Sequence, residues 1–411
     1  MLNSLISEYL MRTPHSAIAH RRAAAVLPGG ETRSITYHAP YPLSIVKGRG
    51  AELTDVDGHI YVDLVNNYTS LIHGSMYAPA TASAAQALAD GGVFASPHRY
   101  QVDLADMLAE RVPSIEQVRF TNSGTEASLL AARLARHVTG RKQLLVFDGG
   151  YHGSARLGSE HEIVTVPYND LEAVQKALSE DIAAVFAEPF LGAGGVVPSA
   201  PGFLREVAEL ARSRGALFVL DEVQSLRNDV SGEQGRLGLQ PDLTLMGKII
   251  GGGMPLGAMG GARRLLEVTA ANRPGSLPHS GTFNGHLTAV AAGATTLQHL
   301  DASAIERLNQ WAESLQGAIA AAADEAGLPV TVTRAGSILQ VHTAAITPTN
   351  AEHVREATSP LNSALHLALL LEGVYTTPRG MINLSTAFTA DDLSSVVRAY
   401  THAFRLLSYC V

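Results

Sequence analysis

The feature that most constrains this chain is a set of five short, unbroken apolar runs: QVRF, QLLVF, IAAVFA, ALFVLD and LTLM, spread over residues 117–246. Strands that are buried on both faces read this way, and helical stretches between successive runs make those strands parallel. The clearest intervening helix is PGFLREVAELARSRG, whose spacing predicts Pro201 in the first turn and Gly215 just past the end. Upstream, AELTDVDGHIYVDL alternates around Asp57-Gly58 and reads as a hairpin. After about residue 300, ASAIERLNQWAESLQGAIAAAADEAG and ADDLSSVVRAYTHAFRLL read as long helices, with strand-like VTVTRAGSILQVHT and GVYTTPRGMINLS between them. The expected organisation is α/β: residues 61–298 form a large domain with a mostly parallel central sheet and helices on both faces. Residues 299–411 form a smaller α+β domain, to which an N-terminal segment, 1–60, contributes.

Composition narrows the function. The chain has 411 residues, 46% of them hydrophobic and 17% charged, which suits a large globular protein. A net charge of -8 and no basic stripe argue against a nucleic-acid partner. The start shows no clean signal-peptide signature, and no apolar run approaches the roughly 20 residues of a membrane helix. The single cysteine, Cys410, excludes an intrachain disulfide framework and fits a reducing compartment. A cytoplasmic enzyme with no membrane partner is the expectation.

Within LTLMGKIIGGGMPLGAMGG stands one charged residue, Lys248. Lysine is scarce here, and Lys47, Lys142 and Lys176 lie in stretches that read as surface. Lys248 follows an apolar strand and precedes three glycines. Burial disfavours the charged form of an amine and lowers its pKa. The neutral amine is a nucleophile whose usual use is a Schiff base with a carbonyl. From this stretch alone, a lysine that snorkels outward or pairs with a buried acid remains an alternative.

Ligands of parallel α/β sheets bind at the carboxyl ends of strands, so the other strand ends matter. After QVRF come Ser123, Gly124 and Thr125, with a helix beginning near Thr125. Hydroxyls and free amides at a helix start make a phosphate seat, although the turn by itself is equally an ordinary N-cap. After ALFVL come Asp221 and Glu222; an acid there is desolvated and needs a cationic or hydrogen-bonding partner. A phosphate seat, a buried acid and a buried amine on neighbouring strand ends are what pyridoxal phosphate requires. The phosphate takes the helix start and the aldehyde takes the lysine. The pyridine nitrogen takes the acid, which keeps the ring an electron sink. Rival sites fail on spacing. A P-loop would need glycine where Asp242 stands and Ser or Thr where Ile249 stands. A dinucleotide fingerprint would need glycine at Val197, and no HExxH pair occurs among the 16 histidines, so no metal site is expected.

The chain resembles the class III aminotransferases, fold-type I pyridoxal-phosphate enzymes. The likeness runs from LPGG to RGMINLS and rests on TNSGTEA, YHG, AEPF, LDEVQS, DLTLMGKIIGGGMPLGAMGG and HSGTFNG. It implies Lys248 as the Schiff-base lysine and Asp221 as the partner of the pyridine nitrogen. Ser123, Gly124 and Thr125 would hold the phosphate. Tyr151 and Val223 would pack on opposite ring faces. It further implies a homodimer with shared active sites, in which Thr282 reaches the phosphate of the neighbouring subunit's cofactor. Without the resemblance, Tyr151 and Val223 read as core residues and Thr282 as a turn residue.

Within the class, the chain is similar to the branch that holds glutamate-1-semialdehyde aminomutase and the β-amino-acid aminotransferases of the β-phenylalanine type, through LPGG…DVDGHIYVDLVNNYTSLIHGS. HSGTFNG, followed by His286 and Leu287, differs from the aminomutases' GTLSGNP-like segment and points to the β-amino-acid side. So does a pair of arginines, Arg33 and Arg379, at positions tied to carboxylate binding. A transaminase must accept two carboxylates in turn, and guanidinium forks bind carboxylates bidentately. A structural ion pair is the other reading of each arginine. Tyr68 and His73 lie in a segment that lines substrate pockets in the branch, and Glu188 and Glu222 are expected behind the site. The expected reaction moves an amino group between a β-phenylalanine-like donor and 2-oxoglutarate or pyruvate. An aminomutase acting on glutamate-1-semialdehyde is the alternative, as is a transaminase of specialised metabolism. Gln224, where this branch often has methionine, and NGHLTAV depart from the pattern and bear on substrate.

Overall fold

The computed structural model describes residues 2–409; Cys410 lies outside the described residues. The five apolar runs form strands β1 (Gln117–Thr121), β2 (Gln143–Phe147), β4 (Ile182–Ala187), β5 (Leu217–Asp221) and β6 (Leu243–Gly247), with β3 (Ile163–Val166) inserted between the second and third. A seventh strand, β7 (Gly257–Gly261), completes a sheet in the order β1-β7-β6-β5-β4-β2-β3. Six strands run parallel and β7 runs against both its neighbours, so the sheet is mostly parallel. The fully buried pattern of β4, β5 and β6 explains why their sequences carry no polar alternation.

Helix α1 (Gly124–Thr139) follows β1 directly, and its apolar face, including Leu130, Ala131 and Leu134, packs on the sheet. Ser123 is its N-cap, and Gly140, at φ 69°, ends it in the left-handed conformation that glycine adopts without penalty. Helix α2 (Phe203–Ser213) lies on the other face, with Phe203, Leu204 and Val207 in a second core cluster. It starts later than its sequence predicts. Gly202, at φ 82°, turns the chain into the helix, so Pro201 stands before the cap and outside the first turn.

Outside this sheet, the predicted hairpin forms between Glu52–Asp55 and Ile60–Asp63, and Val374–Tyr375 joins it in parallel with Val62–Asp63. The N-terminal and C-terminal parts of the chain thereby share one sheet. A three-stranded antiparallel sheet contains Thr331–Ala335, Ile338–His342 and Met381–Asn383. Helices Ala302–Glu325 and Ala390–Ser408 match the long helical patterns and share a core with Leu361–Leu371. Among the described residues, no helix is long and apolar enough to cross a membrane.

Candidate active site

The strand order sets the site. Thr121 of β1, Gly257 of β7 and Gly247 of β6 lie side by side in register. Ser123 and Lys248 therefore emerge from the same edge of the sheet with one antiparallel strand between them. Two strand spacings separate them, on the order of 10 Å. Asp221 ends β5, adjacent to β6, where it is paired with Leu245. The phosphate seat, the amine and the acid expected from the sequence thus share one rim.

A cavity of about 190 Å³ opens at that rim, lined by Gly124, Thr125, Tyr151, Asp221, Val223 and Lys248 together with His152, Glu188 and Gln224. Lys47, Lys142 and Lys176 are exposed, whereas Lys248 is partly enclosed and pairs with no acid among the described residues. Burial draws its amine below the ordinary lysine range, although the charges of Asp221 and Glu188 oppose that. Its φ of 49° is a left-handed conformation that costs a non-glycine residue about 1 kcal/mol or more. Such strain is characteristic of functional positions.

Asp221 is 4% exposed. Its Oδ2 meets His152 Nδ1 at 2.8 Å, and its Oδ1 accepts the Val223 N–H at 3.0 Å. Both bonds fix the orientation of the carboxyl group. His152 is the cationic or hydrogen-bonding partner that the sequence demands without naming. Burial pushes its ring down, but the Asp221 hydrogen bond and charge, with Glu188 behind, carry it above the ordinary histidine range. Its Nε2 is buried without a partner. His152 is next to Tyr151 in YHG, so the motif contained the signal, but 69 residues of chain separate it from Asp221.

Glu188 receives the Tyr151 N–H at 2.9 Å and the Gly192 N–H at 3.2 Å, which fixes the entry of the Tyr151 loop. Burial raises its carboxyl, with the Asp221 charge adding to the effect. Glu222 faces away from the cavity. It accepts N–H groups from Glu233 at 3.1 Å and Gln234 at 2.7 Å and the hydroxyl of Ser225, and burial pushes its pKa up to about 7.

The residues fit pyridoxal phosphate. The first-turn amides of α1 face the cavity behind a Ser123 hydroxyl that accepts the Glu126 N–H at 3.2 Å. A Cβ on Gly124 would come within 3.1 Å of Val223 Cγ2, and one on Gly153 within 2.5 Å of Thr125 Oγ1. The cradle is therefore cut close to the backbone on both sides. Tyr151, 49% exposed, and Val223 stand on the lining as candidates for the two ring faces.

Five expected residues lie elsewhere. Thr282 sits on an exposed turn beside Phe283, away from its own chain's cavity. Arg33 and Tyr68 line a second cavity, of about 240 Å³. The Arg33 guanidinium lies 5.8 Å from the Tyr68 ring centre and donates to Asn67 Oδ1 at 2.7 Å. Burial raises the Tyr68 phenol, and the charges of Arg33 and Arg379 both pull it back. Arg379 donates to the Ala193 carbonyl at 3.0 Å, and the neighbouring Gly192 packs on Gln224 and bonds to Glu188. Arg379 lines neither cavity, but it follows Pro378 of the second one and reaches the segment behind Glu188 of the first. Neither arginine forms an ion pair among the described residues, so the structural-pair reading finds no acid. His73 is taken up internally, with Thr386 Oγ1 at 2.8 Å and Thr296 O at 2.9 Å.

An α/β sheet carrying a lysine, an aspartate and a helix-start anion seat on one rim defines a fold-type I pyridoxal-phosphate enzyme. Comparison with known proteins places the chain more narrowly: the pattern of aminotransferase class-III matches residues 35–160 and 155–395, and the chain belongs to that family. The β-phenylalanine transaminase of Variovorax paradoxus is 37% identical over 399 residues, covering 94% of this chain and 92% of its own. The structure titled as a novel β-phenylalanine aminotransferase from that organism superposes with a TM-score of 0.94, covering 100% and 98% of the two chains at 33% identity. A glutamate-1-semialdehyde 2,1-aminomutase of Geobacillus kaustophilus is 36% identical, covering 95% and 98%. A transaminase solved with PLP bound superposes at 0.90, covering 97% and 98% at 31% identity. The protein is a PLP-dependent transaminase of class III with pyridoxal phosphate as its cofactor.

Proposed function

We propose that this transaminase moves the amino group of a β-amino acid of the β-phenylalanine type to 2-oxoglutarate or pyruvate, as a cytoplasmic homodimer. The observation that carries the reading is that Arg33 lies over Tyr68 on the second cavity with no ion-pair partner among the described residues, while Arg379 bonds to Ala193, whose neighbour Gly192 bonds to Glu188 on the Lys248 cavity. Two guanidinium forks at different distances from the amine separate the carboxylate of a β-amino acid from that of an α-oxo acid. The 37% identity to a β-phenylalanine transaminase supports the same donor.

Pyridoxal phosphate supplies an electrophilic carbonyl for the amine and a cationic ring that withdraws electrons from the amine-bearing carbon. The chain does the rest. Ser123, Gly124 and Thr125 seat the phosphate, and the exposed turn bearing Thr282 extends the seat of the neighbouring subunit. Tyr151 and Val223 hold the ring between them. Asp221, fixed by His152 and the Val223 amide, keeps the ring nitrogen protonated. Lys248 Nζ, kept available as the free amine by burial that favours its neutral form, would take the proton from the amine-bearing carbon and deliver it, within the same half of the cycle, to the carbon that was the cofactor's carbonyl; the second half would run the two transfers in reverse. Arg33, Arg379 and Tyr68 orient the carboxylates.

The test is a half-reaction. The holoenzyme is mixed with β-phenylalanine without an acceptor while the visible spectrum of the cofactor is followed. Conversion to pyridoxamine phosphate, with release of one equivalent of 3-oxo acid, is the expected outcome. A spectrum that ignores β-phenylalanine would refute the donor. Isomerisation of glutamate-1-semialdehyde without any acceptor would assign the chain to the aminomutases instead, a reading to which the 36% identity lends weight.

A further inference from the structure

The second cavity contains a group that the reaction does not use. Helix Leu361–Leu371, sequence LNSALHLALLL, buries one polar residue in its middle, His366, which is 3% exposed. Its Nδ1 meets Thr376 Oγ1 at 3.0 Å, while Nε2 is buried with no partner. Buried polar atoms are nearly always satisfied, so an open imidazole nitrogen on a cavity wall calls for a ligand. His38 packs edge-on at 4.5 Å between ring centres. Burial lowers His38 to about 4 and carries His366 well below the ordinary histidine range, so both rings are neutral near pH 7.

The lining sets Arg33, His366 and the buried carboxyl of Asp63 among apolar and aromatic walls. Arg33 is the one fixed cation on its lining among the described residues. Ile45, Leu53, Tyr68 and Tyr375 contribute the walls, and His366 lies deep within. Aromatic walls favour a flat ring. A neutral imidazole in dry surroundings favours a neutral hydrogen-bonding group over a charge. Arg379 follows Pro378 of this lining and donates to Ala193, whose neighbour Gly192 bonds to Glu188 on the Lys248 cavity.

We propose that this cavity is the side-chain pocket of the amino donor, and that it selects a ring-hydroxylated aryl group whose hydroxyl hydrogen-bonds to His366 Nε2 while Arg33 holds the carboxylate. The proposal rests on the donor class of the preceding section and narrows it to β-amino acids bearing a hydroxyphenyl group. His366 is a specificity-determining residue here and takes no part in proton transfer at the amine-bearing carbon. Thr376 fixes the ring through Nδ1, so either tautomer leaves Nε2 able to bond a hydroxyl, as acceptor or as donor.

The experiment compares kcat/KM for β-phenylalanine and for its para-hydroxy derivative, 3-amino-3-(4-hydroxyphenyl)propanoate, in the wild-type holoenzyme and in His366→Leu. One added hydrogen bond to a buried, unsatisfied group predicts a wild-type preference for the hydroxylated donor of about three- to tenfold. In His366→Leu the ratio falls to one or below. The wild-type ratio needs no variant, so it decides the matter even where His366→Leu does not fold. Reaction of both donors without preference, or a preference that survives His366→Leu, overturns the pocket alone. Failure of either donor to react overturns the donor class and the pocket together.

Discussion

The two cavities are built by opposite means. Around Lys248, the amine, the acid and the anion seat each leave a strand end or a helix start. Asp221 closes β5, Lys248 follows β6 and Ser123 caps α1. Around Arg33, the groups hang on irregular chain. Asn66, Asn67, Tyr68 and Thr69 have φ values of 44°, 47°, 54° and 76°, four consecutive non-glycine residues in the left-handed region. Such a run costs on the order of 1 kcal/mol per residue and is least suited to tyrosine and threonine. Buried polar groups hold it in place. Asp63 Oδ1 accepts the Val65 and Asn66 amides at 2.8 and 2.9 Å, and Asn66 Nδ2 donates to Asn383 O at 2.6 Å. One cavity is rigid because regular backbone makes it so. The other is shaped by strain that local side chains sustain. The first suits chemistry common to a whole class, and the second suits selection of a particular substrate.

Removing groups from each side separates the two. Lys248→Ala is expected to lower turnover by about 1,000-fold or more with the fold intact, since in the proposed mechanism it removes both the base and the cofactor's covalent anchor; turnover and circular dichroism check this. Asp221→Asn should cost roughly 100-fold in kcat while cofactor is retained, and His152→Leu, which removes a charge-assisted bond, about tenfold. Loss of cofactor in place of loss of rate would show these groups acting on binding alone. On the other side, Arg33→Gln should raise KM for the amino donor by about tenfold or more with little change in kcat. An equal fall in kcat would dissolve the distinction between the cavities.

A smaller effect probes the support behind the Lys248 rim. Glu222 is held near 7, above the ordinary glutamate value of 4.5. Between those values the folded protein keeps a proton that the unfolded chain has released. Its contribution to stability is complete below about pH 4.5 and is lost as pH rises through 7, with a slope of at most about 1.4 kcal/mol per pH unit. Glu222→Gln should flatten that part of the stability profile, as measured by denaturant unfolding across pH 5–8. An unchanged slope would mean that Glu222 is ionised in the folded state.

The same contrast explains what could be read from the sequence. Strands β1, β2, β4, β5 and β6 are continuous apolar runs, and their ends located Lys248, Asp221 and the Ser123 turn without further information. Strand β7, GAMGG, was invisible, because glycine and alanine give neither apolar weight nor β propensity. The short edge strand β3, IVTV, was also overlooked. The Asp221 partner was predicted in kind but not in identity, because His152 approaches across the fold. Pro201 was misplaced because the left-handed Gly202, not the proline, opens α2. Nothing in the sequence foretold the left-handed run, since Asn66-Asn67 suggests a turn but Tyr68-Thr69 does not. His366 read as part of an apolar helix, and only the fold reveals its open nitrogen.

Strand β7 acts as a feeler gauge. A Cβ on Gly257 would lie 2.2 Å from the Ser123 carbonyl oxygen, and one on Gly261 2.5 Å from that of Asp242. A side chain at Gly257 would wedge the anion seat away from the amine. The pitch between the two is therefore machined into bare backbone, with no adjustable part. Descendants of this chain can rework the walls around Arg33 and His366 and recruit new donors while the grip on the cofactor keeps a fixed tolerance.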